Sequence, residues 1–396
     1  MNILYVVSEF PKLSKSFIIN EVYELEKREH NISIFSINKL NESIEHREVE
    51  KLNASVCYAD WPSFASISEM SHEYLLNPTV LRRAVFIDKP HYLAYWLHLG
   101  DQIRRFIQKM GGVDLIHAHF AEKHRLAATY AAAYHDVPCT VTAHAYEIFV
   151  EDNISCMKRV CPRFDHLIVP SKYNERYLSE EMDIKTDISV VPATTDINKF
   201  EPSSGCVSGR LLTIGRLVEK KGYEYAIDAV SQLNEWGYDV EYHIIGSGGR
   251  EDLLRDRVRE REIESHIEFL GNVSDERLER ELQEAELFML PCVIASNGDR
   301  DVAPVALKEA MAMQTACIST TVSAIPELIT DGNDGILVEP NDASALANSI
   351  AKLVDNPKRR KTLAENGRKT VETKFDITYA VDELVNVFNT VINSRD

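Results

Sequence analysis

The amino-acid sequence predicts an α/β chain built from two doubly wound domains, each a parallel sheet covered by helices. Short apolar runs alternate with helical stretches in two separate series along the chain, which is the pattern of repeated β-α-β units. A chain of 396 residues also exceeds the size of one typical core, so two domains are expected. Polar, glycine-containing loops follow several of the runs, at the strand ends where ligands bind to such sheets.

The first series defines a predicted first domain that spans residues 1–200. Helical stretches such as Phe17–Lys27 and Ala121–His135 separate its apolar runs, and a helical segment at about 61–110 forms an insertion. The runs with the composition of buried parallel strands are Ile3–Ser8, Ile32–Ile37, Leu115–Phe120, Thr140–His144, Leu167–Ser171 and Ile188–Ala193.

The insertion interleaves aromatic and basic residues over 82–109. These residues are Tyr92, Tyr95, Trp96 and Phe106, with Arg82, Arg83, Lys89, Arg104, Arg105 and Lys109. Two interpretations stay open. Either the segment presents a basic-aromatic face to a membrane surface or a lipid-linked acceptor, or it packs its aromatic side chains inward and its charges outward. The second interpretation is preferred.

The second series follows a Pro/Ser/Gly segment at 201–205, whose composition is typical of a linker. The predicted second domain spans 206–376, and a last helix covers 377–396. Helices are also expected at about 342–355 and 358–373. The predicted strands begin at Leu211, Tyr242 and Ile267 and continue with Leu287–Pro291, Ala316–Thr320 and Gly335–Val338.

Charge and cysteine usage exclude several classes of protein. A net charge of −18, from 44 basic and 62 acidic residues, argues against a nucleic-acid binder, whose surface would be basic. The seven cysteines are odd in number and scattered, which predicts reduced thiols in a cytoplasmic protein. No stretch approaches the roughly 18 apolar residues of a membrane span, and the first run is predicted to be a strand and not a signal peptide.

The stretch from Asn297 to Ala312 has the composition of a ligand-binding loop and helix. A polar loop leads into a helix that is predicted to start near Pro304, because proline fits the first turn of a helix. The helix N-terminus suits a phosphate group, since its N–H groups are unpaired there. Asp301 and Glu309 bracket this turn, and carboxylates accept hydrogen bonds from sugar hydroxyls. The stretch therefore predicts a site for a nucleotide sugar.

Two further loops of the second domain are candidates for phosphate binding. Arg216 and Lys221 lie beside a predicted helix N-terminus that disfavours cations, and an anion between them would resolve that conflict. Both side chains are expected to be exposed, and Gly215 lets the backbone approach a ligand. The loop Gly246-Ser-Gly-Gly249 has the shape of a nucleotide-binding turn, although Glu251 stands where a dinucleotide fingerprint requires glycine.

Histidines follow two predicted strands of the first domain. His117 and His119 share one face of a strand, so metal binding is geometrically possible. The sequence shows no third ligand, and the preferred interpretation is that these histidines line a sheet edge. His144 closes the next strand, at a position where sites in such sheets form.

Several of these motifs resemble a known family. Asp301, seven residues and then Glu309-Ala-Met-Ala312 resemble the E-x7-E motif of family 4 retaining glycosyltransferases, which have the GT-B fold. The first acid is Asp instead of Glu, and Val302-Ala303 replaces an aromatic-glycine pair. Gly215-Arg216 with Lys221-Gly222 resembles the segment that holds the donor diphosphate. Ser8-Glu-Phe-Pro-Lys-Leu-Ser14 is similar to a variant of bacterial surface-polysaccharide (colanic-acid-type) transferases.

The resemblance implies an arrangement and a set of site residues. It implies two Rossmann-like domains facing a central cleft, with the first holding the acceptor, the second the donor, and the last helix crossing back to the first. The implied catalytic group is His144, Arg216, Lys221 and Asp301. The implied substrate contacts are Glu309, Gly215, Gly246, Ser247, Gly248, Leu270, Gly271, Asn272, Val273, Val302, Ala303, Pro304 and Val305.

The expected function is retaining transfer of a sugar from a nucleoside diphosphate sugar to a hydroxyl of a glycan, lipid-linked or small-molecule acceptor, in surface polysaccharide biosynthesis. No cofactor or divalent metal is expected, because Arg216, Lys221 and the helix N-terminus would stabilise the leaving diphosphate. Expected partners are the donor and the acceptor, and no nucleic acid. The expected location is cytoplasmic, with peripheral contact at the inner face of the membrane left open. Alternatives are an epimerase or phosphorylase of the same fold, and a non-catalytic protein that binds a sugar nucleotide.

Overall fold

A computed structural model of the chain describes residues 1–12, 16–39, 49–61, 70–84, 90–202 and 205–395. Lys89 of the insertion and residues 203–204 of the predicted linker lie outside this range. The chain divides into two compact units. The first is Met1–Pro192 together with Ala380–Asp396, and the second is Ala193–Tyr379.

A seven-stranded parallel sheet forms the centre of the first unit, within the described residues. Its strands are β1 (Asn2–Glu9), β2 (Asn31–Asn38), β3 (Ser55–Tyr58), β4 (Leu115–His119), β5 (Cys139–Thr142), β6 (His166–Val169) and β7 (Ile188–Val190). They pair in the order β3-β2-β1-β4-β5-β6-β7. The six predicted runs are confirmed as strands. The seventh strand, β3, was not predicted, because it is an edge strand whose side chains are exposed or half-buried and which lacks an apolar run.

The helices of the first unit include the predicted insertion. They are α1 (Ser16–Lys27), α2 (His72–Leu75), α3 (Pro78–Ala84), α4 (Pro90–Met110), α5 (Leu126–His135), α6 (Ala145–Phe149), α7 (Glu151–Val160) and α8 (Lys172–Arg176). Helix α5 is buried almost throughout, because its short alanine side chains let it pack closely against α4 and the sheet. None of the helices in the described ranges is both long and apolar enough to cross a membrane.

The side chains of α4 show how the insertion packs. Trp96 is only 4% exposed, and Tyr92 stacks against it with ring centroids 5.8 Å apart. Arg104 is also buried, and its guanidinium lies 2.7 Å from the buried carboxylate of Asp101. Arg105 pairs with the other oxygen of Asp101 at 2.7 Å. The geometry therefore favours the packing interpretation, since Trp96 and Arg104 are buried and Asp101 holds both arginines against the helix.

A six-stranded parallel sheet forms the centre of the second unit, within the described residues. Its strands are β8 (Arg210–Ile214), β9 (Glu241–Ile245), β10 (Ile267–Gly271), β11 (Leu287–Leu290), β12 (Ala316–Thr320) and β13 (Ile336–Val338), in the order β10-β9-β8-β11-β12-β13. Its helices are α9 (Tyr223–Glu235), α10 (Glu251–Glu260), α11 (Asp275–Glu284), α12 (Val305–Ala312), α13 (Ile325–Leu328), α14 (Ala343–Val354) and α15 (Pro357–Lys374). Apolar clusters on both faces of the sheet bury these strands, as the continuous apolar runs predict.

The last helix, α16 (Ile377–Asn393), begins in the second unit and continues into the first. Within the first unit its Phe388 ring packs against the His117 ring, with centroids 5.1 Å apart. Asp382 accepts a hydrogen bond from Nε of Arg28 at 2.7 Å. The part of α16 from Ala380 onward is thus held by an aromatic contact and an ion pair of the first unit.

Candidate active site

The strand order of the second sheet determines which loops meet. The direction of progression reverses between the neighbouring strands β8 and β11, and the carboxyl ends of two such strands form a crevice where ligands bind. Arg216 and Lys221 follow β8, and Asp301 follows β11. Loops that carry the three predicted charged residues of this unit therefore leave the sheet at its switch point.

Lys221 and Asp301 form an ion pair at this switch point. Nζ of Lys221 lies 2.7 Å from Oδ2 of Asp301, and Nζ of Lys220 lies 3.4 Å from Oδ1. The Lys221 and Asp301 side chains are 12% and 14% exposed. Burial alone would raise the pKa of Asp301, but Lys221 and Lys220 outweigh it and hold that pKa well below its usual range. Both partners are therefore charged at neutral pH.

Arg216 differs from Lys221 in its surroundings. Its side chain is exposed and pairs with no carboxylate in the part of the chain that the structure describes. The expectation that both cations are exposed is therefore correct for Arg216 and wrong for Lys221, because Asp301 draws Lys221 into a pair. Gly215 makes room for that pair, since a Cβ there would lie 3.1 Å from Cε of Lys221.

The acids around the cations are also paired. Lys220 is buried, and its Nζ lies 3.0 Å from Asp299 as well as 3.4 Å from Asp301. The sequence analysis did not identify Lys220. Two adjacent lysines and an Asp-x-Asp pair could have indicated two lysine–aspartate ion pairs. Asp299 and Asp301 are thus the counter-ions of Lys220 and Lys221.

Helix α12 begins at Val305, so the predicted start near Pro304 is confirmed. The N–H groups of its first turn have no acceptor within the helix, and its dipole places partial positive charge there. The carbonyl of Ala303 accepts a hydrogen bond from the fully buried Nζ of Lys308 at 2.9 Å. The predicted contact residues of this stretch are half-buried at Ala303, Val305 and Glu309 and buried at Val302 and Pro304.

The predicted glycine loops meet beside Gly215. The N–H of Gly246 donates to the carbonyl of Gly271 at 2.8 Å, and Ser247 Oγ donates to Asn272 Oδ1 at 3.2 Å. Gly246 has a φ of 130°, and a Cβ there would lie 2.0 Å from the carbonyl oxygen of Gly215, so no other residue fits. Gly248 and Val273 lie on the same loops, and Leu270 lies near the end of β10. The carboxyl ends of β8, β9 and β10 thus bring these predicted contacts together.

His144 of the first unit is the residue that caps helix α6. Its backbone N–H donates to Oε1 of the buried Glu147 at 2.6 Å, and Ala121 N–H donates to the same oxygen at 3.1 Å. Burial raises the pKa of Glu147 to about 7. The His144 ring is half-buried, and its Nε2 lies 3.2 Å from Nδ1 of His119. His144 is therefore fixed by contacts of both its backbone and its ring.

The structure provides the third residue that the His-x-His pair lacked in the sequence. Glu21 of α1 offers a carboxylate oxygen, and the ligand atoms of Glu21, His117 and His119 lie within 4.8 Å of one another. Both histidines are fully buried, so they do not merely line an edge of the sheet. Sequence reasoning missed Glu21 because it lies 98 residues before His119.

The two units match two family models. Residues 17–199 match the model described as Glycosyltransferase Family 4, and residues 207–370 match Glycosyl transferases group 1. The chain carries a glycosyltransferase family 4 domain followed by a group 1 domain. The family 4 domain contains the histidine cluster, and the group 1 domain contains the lysine–aspartate pair.

Relatives with curated names agree with these domains. An amylovoran biosynthesis glycosyltransferase of Erwinia amylovora is 36% identical over 178 residues, which cover 45% of this chain and 44% of that protein. A glycosyltransferase of Escherichia coli (strain K12) named for colanic acid biosynthesis is 36% identical over 167 residues, 41% of each chain. The match therefore spans less than half the length of these relatives.

Solved structures share the fold over nearly the whole chain. Sucrose-phosphate synthase from Thermosynechococcus elongatus superposes with a TM-score of 0.76 at 17% identity, covering 100% of both chains. Anabaena HepE, solved in complex with UDP, gives a TM-score of 0.75 at 17% identity and covers 98% of this chain and 100% of that one. The family 4 and group 1 domains therefore have the GT-B pair of Rossmann-like folds.

Proposed function

We propose that this protein transfers a sugar, with retention of anomeric configuration, from a nucleoside diphosphate sugar to a hydroxyl group of a glycan, lipid-linked or small-molecule acceptor. The acceptor chemistry proposed is that of surface polysaccharide biosynthesis. The relatives named for amylovoran and colanic acid biosynthesis support this class, and the UDP and UDP-glucose complexes of Anabaena HepE support a nucleotide-sugar donor.

One observation carries the proposal, the charged group at the switch point of the second sheet. The Lys221–Asp301 pair with a 2.7 Å contact lies beside the exposed and unpaired Arg216, within the described residues. A diphosphate brings two neighbouring phosphates, and an exposed guanidinium beside an ammonium is suited to bind them. The loop after β8 is thus a binding site for the diphosphate of the donor.

The chemistry requires stabilisation of a leaving group. The bond between the anomeric carbon and the diphosphate oxygen breaks, and the diphosphate leaves with the electron pair. The acceptor oxygen bonds to the anomeric carbon, and its proton passes to the departing diphosphate. Arg216, Lys221 and the N-terminus of α12 stabilise the charge that develops on the leaving oxygens. In this role they replace a divalent cation, so transfer is proposed to need no added Mg²⁺ or Mn²⁺.

Asp301 and Glu309 have separate roles in this proposal. Glu309 lies on α12 and contacts the ribose, whereas Asp301 lies on the preceding loop and contacts the donor sugar. The contact between Asp301 and Lys221 gives Asp301 a second role, because its carboxylate positions the ammonium group before donor arrives. An aspartate is one methylene shorter than the glutamate of the resembled motif, so its contact with the sugar either passes through a water molecule or requires the sugar to lie closer.

The proposed location is the cytoplasm. All seven cysteines are free thiols, and four of them, at positions 139, 161, 292 and 317, are buried. Buried unpaired thiols are typical of proteins in a reducing compartment. Any contact with a membrane would be peripheral.

A donor screen on the full chain tests the proposal. Sugars linked to UDP, GDP, ADP and CMP are compared for their effect on the thermal unfolding midpoint, because a ligand that binds only the folded state raises it. The stabilising donor is then incubated with and without an acceptor alcohol, and products are identified by mass spectrometry. We expect a glycoside to form only with the acceptor present.

Matched variants connect the result to the site. Arg216→Ala should abolish most of the stabilisation by donor, whereas Arg280→Ala, which removes an exposed arginine from α11 of the same unit, should not change it. Sugar isomerisation without an acceptor would indicate an epimerase, and phosphate-dependent cleavage a phosphorylase. Tight nucleotide binding with neither transfer nor slow donor hydrolysis would indicate a non-catalytic binding protein, and would overturn the proposed activity.

A further inference from the structure

Glu21, His117 and His119 meet at the switch point of the first sheet. The strand order reverses between β1 and β4, and His119 is the last residue of β4. Helix α1, which follows β1, brings Glu21 to the same place. Each of the three residues offers one atom that can bind a metal ion, and these atoms lie within 4.8 Å of one another. Two imidazoles and one carboxylate form a ligand set that suits zinc and similar transition metals.

The separation of two ligand atoms is compatible with coordination. Nε2 of His119 lies 3.2 Å from Oε1 of Glu21. Two ligands at about 2.0–2.1 Å from a tetrahedral zinc ion are ~3.3 Å apart. A neutral imidazole N–H that donates to a carboxylate spans about 2.7–3.2 Å, so the distance fits both arrangements and a metal titration distinguishes them.

Each candidate ligand is oriented by a second group. Nδ1 of His117 lies 2.8 Å from Oγ1 of Thr140, and Nδ1 of His119 lies 3.2 Å from Nε2 of His144. Nε2 of His117 lies 3.2 Å from Oγ1 of Thr142, so a bound ion would take the place of that hydrogen bond. The hydroxyl of Tyr5 donates to Oε1 of Glu21 at 2.6 Å. Partners of this kind fix the ring orientation and the tautomer of metal ligands.

The charge around the cluster also favours a cation. No lysine or arginine that the structure describes pairs with Glu21. Its contacts are the hydroxyl of Tyr5 and the ring of His119. A divalent cation would compensate the carboxylate that no fixed basic side chain neutralises.

A second cluster of similar composition provides a contrast. Glu241, His243 and Glu268 of the second unit also lie within 4.8 Å of one another. There, Nδ1 of His243 lies only 2.6 Å from the buried Glu281, and Glu241 pairs with Arg210 at 2.9 Å. His243 and Glu241 therefore already have close ion-pair partners, one of them an arginine, whereas Glu21 has no lysine or arginine partner among the described residues.

We propose that Glu21, His117 and His119 bind one divalent transition metal ion of the zinc class at the switch point of the first sheet. The ion joins α1 to β4, and through His119 it fixes the ring of His144. This proposal does not depend on the proposed transfer reaction, because the lysine–aspartate pair belongs to the other unit.

The test measures metal binding by the full chain without substrates. The protein is purified without a histidine tag, stripped with a chelator, and titrated with Zn²⁺ against a chromophoric competitor and with Co²⁺ in the visible spectrum. We expect one tight equivalent per chain, with a Co²⁺ spectrum that lacks the thiolate charge-transfer band, since the ligands are nitrogen and oxygen. Mg²⁺ should not compete.

Four variants identify the ligands. His119→Gln and Glu21→Gln should lose the tight equivalent, while Tyr5→Phe should weaken it about 10–100-fold, as loss of an orienting hydrogen bond does. The matched control His243→Gln should bind the ion as the native protein does.

Circular dichroism confirms that each variant is folded, and the near-isosteric Glu21→Gln and Tyr5→Phe changes guard against loss of structure. Absence of tight binding by the native protein would overturn the proposal and leave the cluster as a hydrogen-bonded network. Undiminished binding by His119→Gln and Glu21→Gln, or loss of the ion in His243→Gln, would also overturn it. None of these results depends on finding the correct donor, so failure of the metal site is distinguishable from failure of the proposed transfer.

Discussion

Lys308 is a buried lysine whose charge should oppose folding of the second unit. Its side chain is fully buried in α12, its Nζ donates to the carbonyl of Ala303 at 2.9 Å, and it lies 5.3 Å from the centre of the Phe375 ring. Burial lowers the pKa of Lys308 to about 7, although the neighbouring Glu309 acts in the opposite direction. The ordinary value is 10.5.

The difference between these two pKa values sets the sign and size of the contribution of Lys308 to the free energy of unfolding. The cost of burying its charge is at most ~5 kcal/mol, at about 1.36 kcal/mol per pKa unit. Below pH 7 both states carry the proton, and the folded state bears the full cost. Between pH 7 and 10.5 the unfolded chain binds more protons, so stability from this residue rises with pH. Above pH 10.5 the lysine is neutral in both states, and the cost is gone.

Replacing Lys308 by methionine should therefore stabilise the protein at low pH. The change removes the buried charge but leaves the carbonyl of Ala303 without its donor, which costs about 1–3 kcal/mol. We expect a net gain of about 2–4 kcal/mol below pH 7. From pH 7 to 9 the native protein should recover up to ~2.7 kcal/mol relative to the variant. The two stabilities should thus converge near pH 9.

Denaturant unfolding of the full chain between pH 6 and 9.5 measures this effect. The transition that a nucleoside diphosphate shifts reports on the second unit, because ligand binding stabilises the unit that holds the site. Lys361→Met is the matched control, since Lys361 is 77% exposed on α15 of the same unit. Parallel stability curves for native protein and Lys308→Met across this range would refute the reasoning.

Three further predictions concern the proposed reaction. Transfer should need no added Mg²⁺ or Mn²⁺, and loss of activity on adding EDTA that either of these ions rescues would contradict the role given to the cations. Arg216→Ala and Lys221→Ala should each lower kcat/KM by about 10²–10³-fold, the cost of removing one charge-stabilising group, and near-normal turnover would exclude that role. Asp301→Asn should depress transfer without weakening nucleoside diphosphate binding, because the amide oxygen of asparagine can still accept a hydrogen bond from Lys221. Glu309→Gln should weaken both transfer and nucleoside diphosphate binding. Calorimetry distinguishes them, and an equal loss of affinity in both variants would contradict the division of roles.

The fold could be predicted from the sequence because buried parallel strands are continuous apolar runs. Every predicted run became a strand, whereas β3 at Ser55–Tyr58 escaped because an edge strand exposes part of its side chains. The burial of Lys308 was not predicted for a related reason. A lysine on a helix is ordinarily exposed, and no pattern in the sequence distinguishes the one whose ammonium group finds a carbonyl inside the protein.

The site could be predicted only in part, because its motifs specify residues and not their neighbours. The motifs indicated Arg216, Lys221 and Asp301, but the pairing of Lys221 with Asp301 depends on β8 and β11 being adjacent strands. The sequence equally indicated the histidine pair, but its carboxylate partner Glu21 is brought there by α1. In both units the missing information was the strand order.

The two switch points therefore carry different chemistry on the same architecture. At the second, Lys220 and Lys221 neutralise their own aspartates and Arg216 is exposed for a phosphate, so the site supplies positive charge without an ion. At the first, Glu21 has no such basic partner among the described residues, so two imidazoles and a carboxylate gather where a cation would complete them. A chelator acts on these two sites differently. If strong chelation slows transfer, rescue by Zn²⁺ alone would implicate the histidine cluster, because Mg²⁺ binds poorly to imidazole. Rescue by Mg²⁺ would instead place a cation at the diphosphate, against the role of Arg216 and the lysines.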